Sequence, residues 1–527
     1  MRKTASVMLL AISLGAASAG AQTFTGPSSS ASPYVEPTAD GWAVLSLLTV
    51  GDTADESSYR MVGIPDGLGA MRGRFIKGHH ANDPKYLTVF MNHELPATSG
   101  VIRAHGSTGA FVSQWTIALD SLHVVAGEDL ISDVYTWDAA TSQYAFAPAN
   151  PFTRMCSADL PPLSAFFNRR SGLGFEGRLY MNGEETTEGR AFAHVVTGAG
   201  KGTSYELPHL GRLAWENSVA HPDTGDRTLV MAMDDSTPGQ VYVYQGAKRR
   251  NGNPVERAGL VGGRLFGIRV TAGGANYGGP VTVETSGAIN GRFTLVNVSD
   301  VAVGPAATLE STSTARGITR FARPEDGAWD PTNRNVFYFV TTGADVDPTP
   351  AVNFQSSRLY RLTFDDVDDP VAGGRIESIV DARGLDRGTD LPPATVALFD
   401  NIAVNGRGEV IVQEDPGGTP YIAKTWLVNP QLRTAVQVLE SDRDRFAGAA
   451  PLTADEESSG VIEVTNLVTH AWWYEAGRRY YLADMQAHYA ITGELVEGGQ
   501  FYLVAGPRER SRHPTEDDDR DDDEDRR

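Results

Sequence analysis

The sequence is poor in cysteine, in basic charge and in long apolar runs, and each shortage excludes a class of protein. A single cysteine, Cys156, among 527 residues rules out an internal disulfide framework. Its setting, "RMCSADLP", holds no histidine and is not basic, so Cys156 reads as a small, semi-buried residue rather than a ligand or nucleophile. Against 66 Asp and Glu stand only 45 Lys and Arg, a net charge of -21, so phosphate backbones are repelled and no nucleic-acid partner is expected. No stretch reaches the roughly 20 apolar residues of a transmembrane helix. Neither G-x-S-x-G, a P-loop nor HExxH occurs, which argues against a serine hydrolase, a nucleotide phosphatase of that type and a zincin.

The two ends read as segments apart from the fold. Arg2 and Lys3 precede an apolar run from Val7 to Ala17, and small residues surround Ala19 and Ala21, so residues 1–21 are expected to be a signal peptide. The protein is then secreted, periplasmic or held at the cell surface. Residues 22–40 read as an extended leader outside the folded body, and 506–527, with its acidic run, as a disordered tail.

Between them, 41–505 repeats one unit: a short β-branched and aromatic run bounded by Gly, Pro, Asn or Asp. Five of six such runs end in an acid or histidine: "YLTVFMNHE" at Glu94, "GRLYMNGEE" at Glu185, "RTLVMAMDD" at Asp235, "GEVIVQED" at Asp415 and "RYYLADMQAH" at His488, with "NVFYFVTTG" the exception. A second strand often follows. This is the pattern of an all-β propeller of about six blades with inter-blade insertions, whose innermost strands deliver side chains to a central channel.

Carboxylates gathered on one axis repel one another unless cations neutralise them, and oxygen donors point to calcium. The candidate metal ligands are Glu184, Glu185, Glu216, Glu325, Asp400 and Asn401. Taken singly, each is as well explained by a turn cap or a surface ion pair; their joint occurrence favours the site. Arg323 stands two residues before Glu325, where it either forks onto a bound phosphate or pairs with Glu325 or Asp326. Arg103 and His105 in "RAHG" join it as candidate catalytic residues, whereas His93 reads as structural and His79 with His80 as a solvated pair.

Taken in order, "MNHE", "RAHG", "GRLYMNGEE", "GRLAWENSVAHP", "RFARPEDGAWDP", "FDNIAVNGRGEV", "ESSGVIEVT" and "LADMQAH" resemble segments of the PhoX family of secreted bacterial alkaline phosphatases, across about residues 60 to 505. The resemblance implies a propeller with an axial cluster of calcium and iron that hydrolyses phosphate monoesters. Within it, Glu184 and Glu185, Glu216 and Glu325 would hold metals and Arg323 would grip phosphate. Three departures stand out. Gly183 occupies the place of the family's iron-ligating cysteine, Trp215 that of a histidine, and no twin-arginine pair precedes the apolar leader. They make calcium the expected cofactor and leave iron without its thiolate.

The leading expectation is a monomeric, metal-dependent phosphoesterase acting on a phosphorylated small molecule. The alternatives are a non-catalytic, calcium-stabilised propeller that binds cell-envelope partners, and a calcium-dependent lactonase or esterase.

Overall fold

A computed structural model describes residues 20–76, 79–81, 83–343, 356–385, 398–417 and 421–508. The expected signal peptide and acidic tail therefore lie almost wholly outside the described residues, as do the side chains of His79 and His80.

Runs rich in Val, Leu, Phe and Tyr, cut by Gly and Pro turns, form antiparallel strands that group into six blades. The innermost strands are, in blade order, Pro65–Arg72, Met155–Asp159, Arg212–Ala220, Pro324–Trp329, Phe399–Val404 and the interrupted pair Glu456–Glu457 and Val461–Glu463. Each packs against the next and the last returns to the first, closing a ring around one axis. The chain is an all-β propeller, as the sequence pattern predicts. Blades two, three and four are hydrogen-bonded into one continuous ladder, because Leu179–Val195 also pairs with Arg212–Ala220 and Asn290–Asn297 bridges to Gly374–Asp381.

The sixth blade joins both ends of the chain. Ala43–Thr49 pairs with Glu497–Ala505, which pairs with Tyr480–Ala490. Residues expected as a detached leader take part in this closure, which corrects the sequence reading. Gln22–Thr25 runs parallel to Ala43–Thr49, and Val35–Pro37 adds an edge strand to the fifth blade. The reason is burial: Tyr34 and Val35 carry apolar surface into the core between the fifth and sixth blades.

One register rule holds in all six blades. The inner strand starts, and the second strand ends, at the same mouth of the channel, as antiparallel neighbours must. Pro65 pairs with His93, Met155 with Glu184, Trp215 with Asp234, Pro324 with Thr341, Phe399 with Glu414 and Glu456 with Ala487. The next residue on each strand then faces the mouth. The runs singled out in the sequence are thus second strands, not innermost ones.

Removing residues 22–37 is expected to destabilise the propeller by about 3–6 kcal/mol, since Tyr34 and Val35 each bury a large apolar side chain. Denaturant unfolding of the truncated chain checks this; an unchanged midpoint would show that the leader adds nothing.

Candidate metal centre

The register rule puts two residues per blade at one mouth. From the inner strands come Asp66, Cys156, Glu216, Glu325, Asp400 and Glu457; from the second strands come Glu94, Glu185, Asp235, Thr342, Asp415 and His488. Ligand atoms lie within 4.8 Å of one another in four overlapping groups: Asp66, Glu94 and Cys156; Cys156, Glu185 and Glu216; Glu216, Glu325 and Asp400; Asp400, Asp415 and Glu457.

The inner residues face the axis because the ladder breaks where they sit. In five blades the register shifts across the axial residue, between Pro65 and Leu68, Met155 and Ala158, Trp215 and Ser218, Pro324 and Gly327, and Phe399 and Ile402. Such a bulge twists the strand and re-aims its side chains. Three blades add a non-glycine residue with positive φ two positions earlier: Ile64 at 52°, Arg154 at 43° and Arg323 at 58°. This sparsely populated conformation costs energy that the surrounding sheet must hold in place.

Below the ring, side chains hydrogen-bond between blades. Ser157 Oγ donates to Glu216 Oε1 at 2.6 Å and, across the axis, lies 2.7 Å from Asn401 Oδ1. Asn217 Nδ2 donates to Asp326 Oδ1 at 2.7 Å. A cavity of about 320 Å³ opens at the far end of the channel, lined by Leu68, Trp329, Ile402 and Ile462 among others; the convergent acids are at the opposite mouth.

Burial pushes the carboxyls of Asp66, Glu216, Glu325 and Asp400 well above their ordinary range, and neighbouring acids push them further. Burial raises the Cys156 thiol too, with Asp66 and Glu216 adding to it, and takes Asp415 up to about 7. Glu457 moves the other way: burial opposes its charge, but the hydrogen bond and charge of His488 outweigh it. His488, gripped by Glu457 and Glu497 against its own burial, rises to about 11 and stays cationic.

Two guanidiniums fork into the ring. Arg154 reaches Glu94 at 2.9 Å and Glu185 at 2.6 Å; Arg323 holds Asp235 through Nε at 2.8 Å and Glu325 through Nη2 at 3.0 Å. Both precede an axial residue by two positions, and their side chains are 45% and 28% exposed. Asp326, the other partner considered for Arg323, instead accepts from Asn217, Gly327 and Ile402.

Of the candidates read from sequence, the structure brings together Glu185, Glu216, Glu325 and Asp400, with Asn401 just beneath and Arg323 at the rim. Glu184 goes elsewhere: the strand alternates, and its carboxylate is clamped by Arg190 through Nε and Nη2, both at 2.7 Å. Arg103 lies over the Phe111 ring, 3.4 Å from Glu494 and 3.8 Å from Asp129, and His105 packs on Phe152; none of these partners is an axial group. Burial takes His105 down to about 4, so it is neutral. His93 is structural, bonded to Gly63 O and Ser113 Oγ.

Cys156 requires the largest correction. Its Sγ sits 3.0 Å from Glu216 Oε2 and 3.5 Å from Asp66 Oδ2, inside the ring. The cluster therefore has a thiol, supplied by an inner strand and not from position 183. Gly183 has no room for one: a Cβ there would lie 2.3 Å from the Cβ of Trp215. Asp66 and Glu457 were also missed. The signal that would have found all three is the repeated pairing of a strand start with a strand end.

A family model described as alkaline phosphatase PhoX matches residues 199–445. Among solved structures, PhoX of Pseudomonas fluorescens in complex with vanadate, a transition state analogue, aligns at a TM-score of 0.55 and 12% identity, covering 89% of this chain and 95% of that one. A protein of unknown function from Dyadobacter fermentans aligns at a TM-score of 0.35 and 9% identity, over 88% and 99% of the two chains. No curated protein matches. The family match and the site together support a phosphoesterase of the alkaline phosphatase type, a class that depends on metal ions. The family model thus matches part of the chain, and the solved PhoX structure shares its fold.

Without cations, the acids with raised values bind protons more tightly folded than unfolded, where they titrate near about 4. Their contribution to stability is present below that value and is lost as pH rises through the folded values. Chelated protein should therefore melt at a lower temperature at about pH 8 than at about pH 5, and calcium should offset that loss. A melting temperature that rises over this interval in chelator would contradict the reading. A second test concerns Gly183: Gly183→Cys is expected to cost about 1–3 kcal/mol in denaturant unfolding, because its Cβ would overlap the Cβ and Cγ of Trp215.

Proposed function

We propose that the protein is an exported, metal-dependent phosphatase that hydrolyses phosphate monoesters at the acid-lined mouth. The observation that carries this is the convergence of axial carboxylates and one thiol with two half-exposed arginines on the same rim.

The donor set fits cations. Buried like charges within 4.8 Å need neutralising, and two guanidiniums do not balance them. Glu216, Glu325, Asp400 and Asp415 offer oxygen donors suited to calcium, while Cys156 with Glu185 and Asp66 adds the softer ligand that iron accepts. Bound there, such ions supply positive charge for the phosphoryl oxygens and activate an oxygen nucleophile. Arg323 and Arg154, fixed by the acids they fork, present planar donors to a phosphate arriving from solvent and stabilise charge that builds in the transition state. The scheme needs no covalent serine or cysteine. Export through the N-terminal segment, and a substrate that is a small phosphorylated molecule, complete the reading.

The test is phosphomonoester hydrolysis from neutral to alkaline pH with calcium, with calcium plus iron, and after chelation. Turnover that chelator removes is expected; folded, cation-loaded protein that turns over nothing would instead favour a binding propeller. Glu216→Gln should lower kcat by about 10²-fold or more while the fold persists, and Arg154→Gln and Arg323→Gln should weaken both substrate binding and turnover. Normal activity and metal content in Glu216→Gln would sink the assignment.

A further inference from the structure

The second strand of the sixth blade, Tyr480–Ala490, departs from its five counterparts below the mouth. Four residues before the mouth-facing position, the other blades carry Phe90, Met181, Met231, Tyr338 and Ile411. All five are buried in apolar packing. The sixth blade carries Asp484, which is wholly buried, and neither carboxylate oxygen has a hydrogen-bond partner among the described residues.

Strand alternation sets Asp484, Gln486 and His488 on one face. His488 meets Glu457 at the mouth, and Gln486 Nε2 donates to Asp66 Oδ2 and Glu94 Oε2, both at 3.0 Å. Asp484 lies one step deeper, about 7 Å further along the strand. The Gln486 Oε1 atom is likewise buried and unpartnered. Opposite them, Gly460 packs closely against two of these oxygens: a Cβ on it would crowd Asp484 Oδ1 at 2.9 Å and the backbone oxygen of Asp66 at 3.0 Å. A carboxylate, an amide oxygen and a carbonyl oxygen thus border one seam between the sixth and first blades. Nearby charge is of one sign, since Asp66 and Glu457 are the charged groups acting on Asp484. A buried, unpaired carboxylate is costly unless a cation or a proton accompanies it.

The geometry points to a second cation site, beneath and separate from the mouth cluster, in which Asp484, the Asp66 carbonyl and Gln486 Oε1 hold a hard divalent cation such as calcium between the first and last blades. Its donors are all oxygen, the preference of calcium. The site ties the seam where the chain closes on itself, so its role is structural and independent of whether the mouth is catalytic.

The experiment measures calcium bound per chain by equilibrium dialysis and elemental analysis, with calcium chloride as the only probe, on the full chain and on Asp484→Asn, Gly460→Ala and Glu216→Gln. Asp484→Asn and Gly460→Ala should each lose one equivalent and show a smaller calcium-induced rise in melting temperature. Glu216→Gln, which alters the mouth, should keep that equivalent. Unchanged stoichiometry in Asp484→Asn, with a higher melting temperature in chelator, would show that a proton satisfies the carboxylate and would overturn the site. Should Asp484→Asn fail to fold, unchanged stoichiometry in Gly460→Ala overturns it equally. Loss of phosphatase turnover alone bears only on the mouth, so the two readings fail separately.

Discussion

Mutual repulsion among buried carboxylates is the constraint around which this propeller is arranged. Two unit charges 4 Å apart oppose each other by about 4 kcal/mol at an effective dielectric constant of 20. Here acid ligand atoms lie within 4.8 Å of one another in chained groups, deep enough that burial raises most of their pKa values. Arg154 and Arg323 offset part of this and His488 a little more. The remainder calls for cations or protons.

Holding such a cluster together demands a frame that cannot splay. Ring closure supplies it: the strand at Ala43–Thr49 completes the sheet of the C-terminal strands, so opening one seam strains every other. Within the ring, the bulges at the axial residues place the acids, and Ser157 joins blades two, three and five directly beneath them. The left-handed backbone at Arg154 and Arg323 belongs to the same device. It turns the chain so that the guanidinium stays on the rim while the residue two positions later enters the axis.

The fold was legible because period-two apolar runs and turn residues survive in every blade, and "GRLYMNGEE" or "GEVIVQED" shows where a strand meets polar duty. Half of the site was legible for the same reason. The other half was not, because the inner strands are short and begin with their functional residue. Asp66 follows a proline in a loop-like "GIPDGLG", and Cys156 has no companion ligand in its own segment. Its partners arrive from 60 and 90 residues away through the ring. Glu184 and Glu185 are adjacent in sequence, and only the strand's alternation, with Arg190 on one face, separates the structural acid from the axial one. Arg103 and His105 were chosen on residue type, and burial in an aromatic pocket explains them better.

The scaffold is close to six-fold in register but its donors are not, and that asymmetry carries chemical meaning. Around Cys156 the ring offers sulfur with Asp66, Glu94, Glu185 and Glu216; around Asp400 it offers oxygen alone, from Glu216, Glu325, Asp415 and Glu457. A thiolate favours softer metals and an all-carboxylate set favours hard ones, so the two halves of one mouth offer donor sets of different hardness. Glu216 belongs to both halves, standing in the group with Cys156 and in the group with Asp400. Arg154 borders the sulfur side and Arg323 the oxygen side, so an anion entering between them meets a guanidinium whichever half it approaches. A symmetric propeller would present six equal positions and one kind of site. Varying a single residue per blade, at a position the register fixes, gives this mouth two kinds without altering the frame.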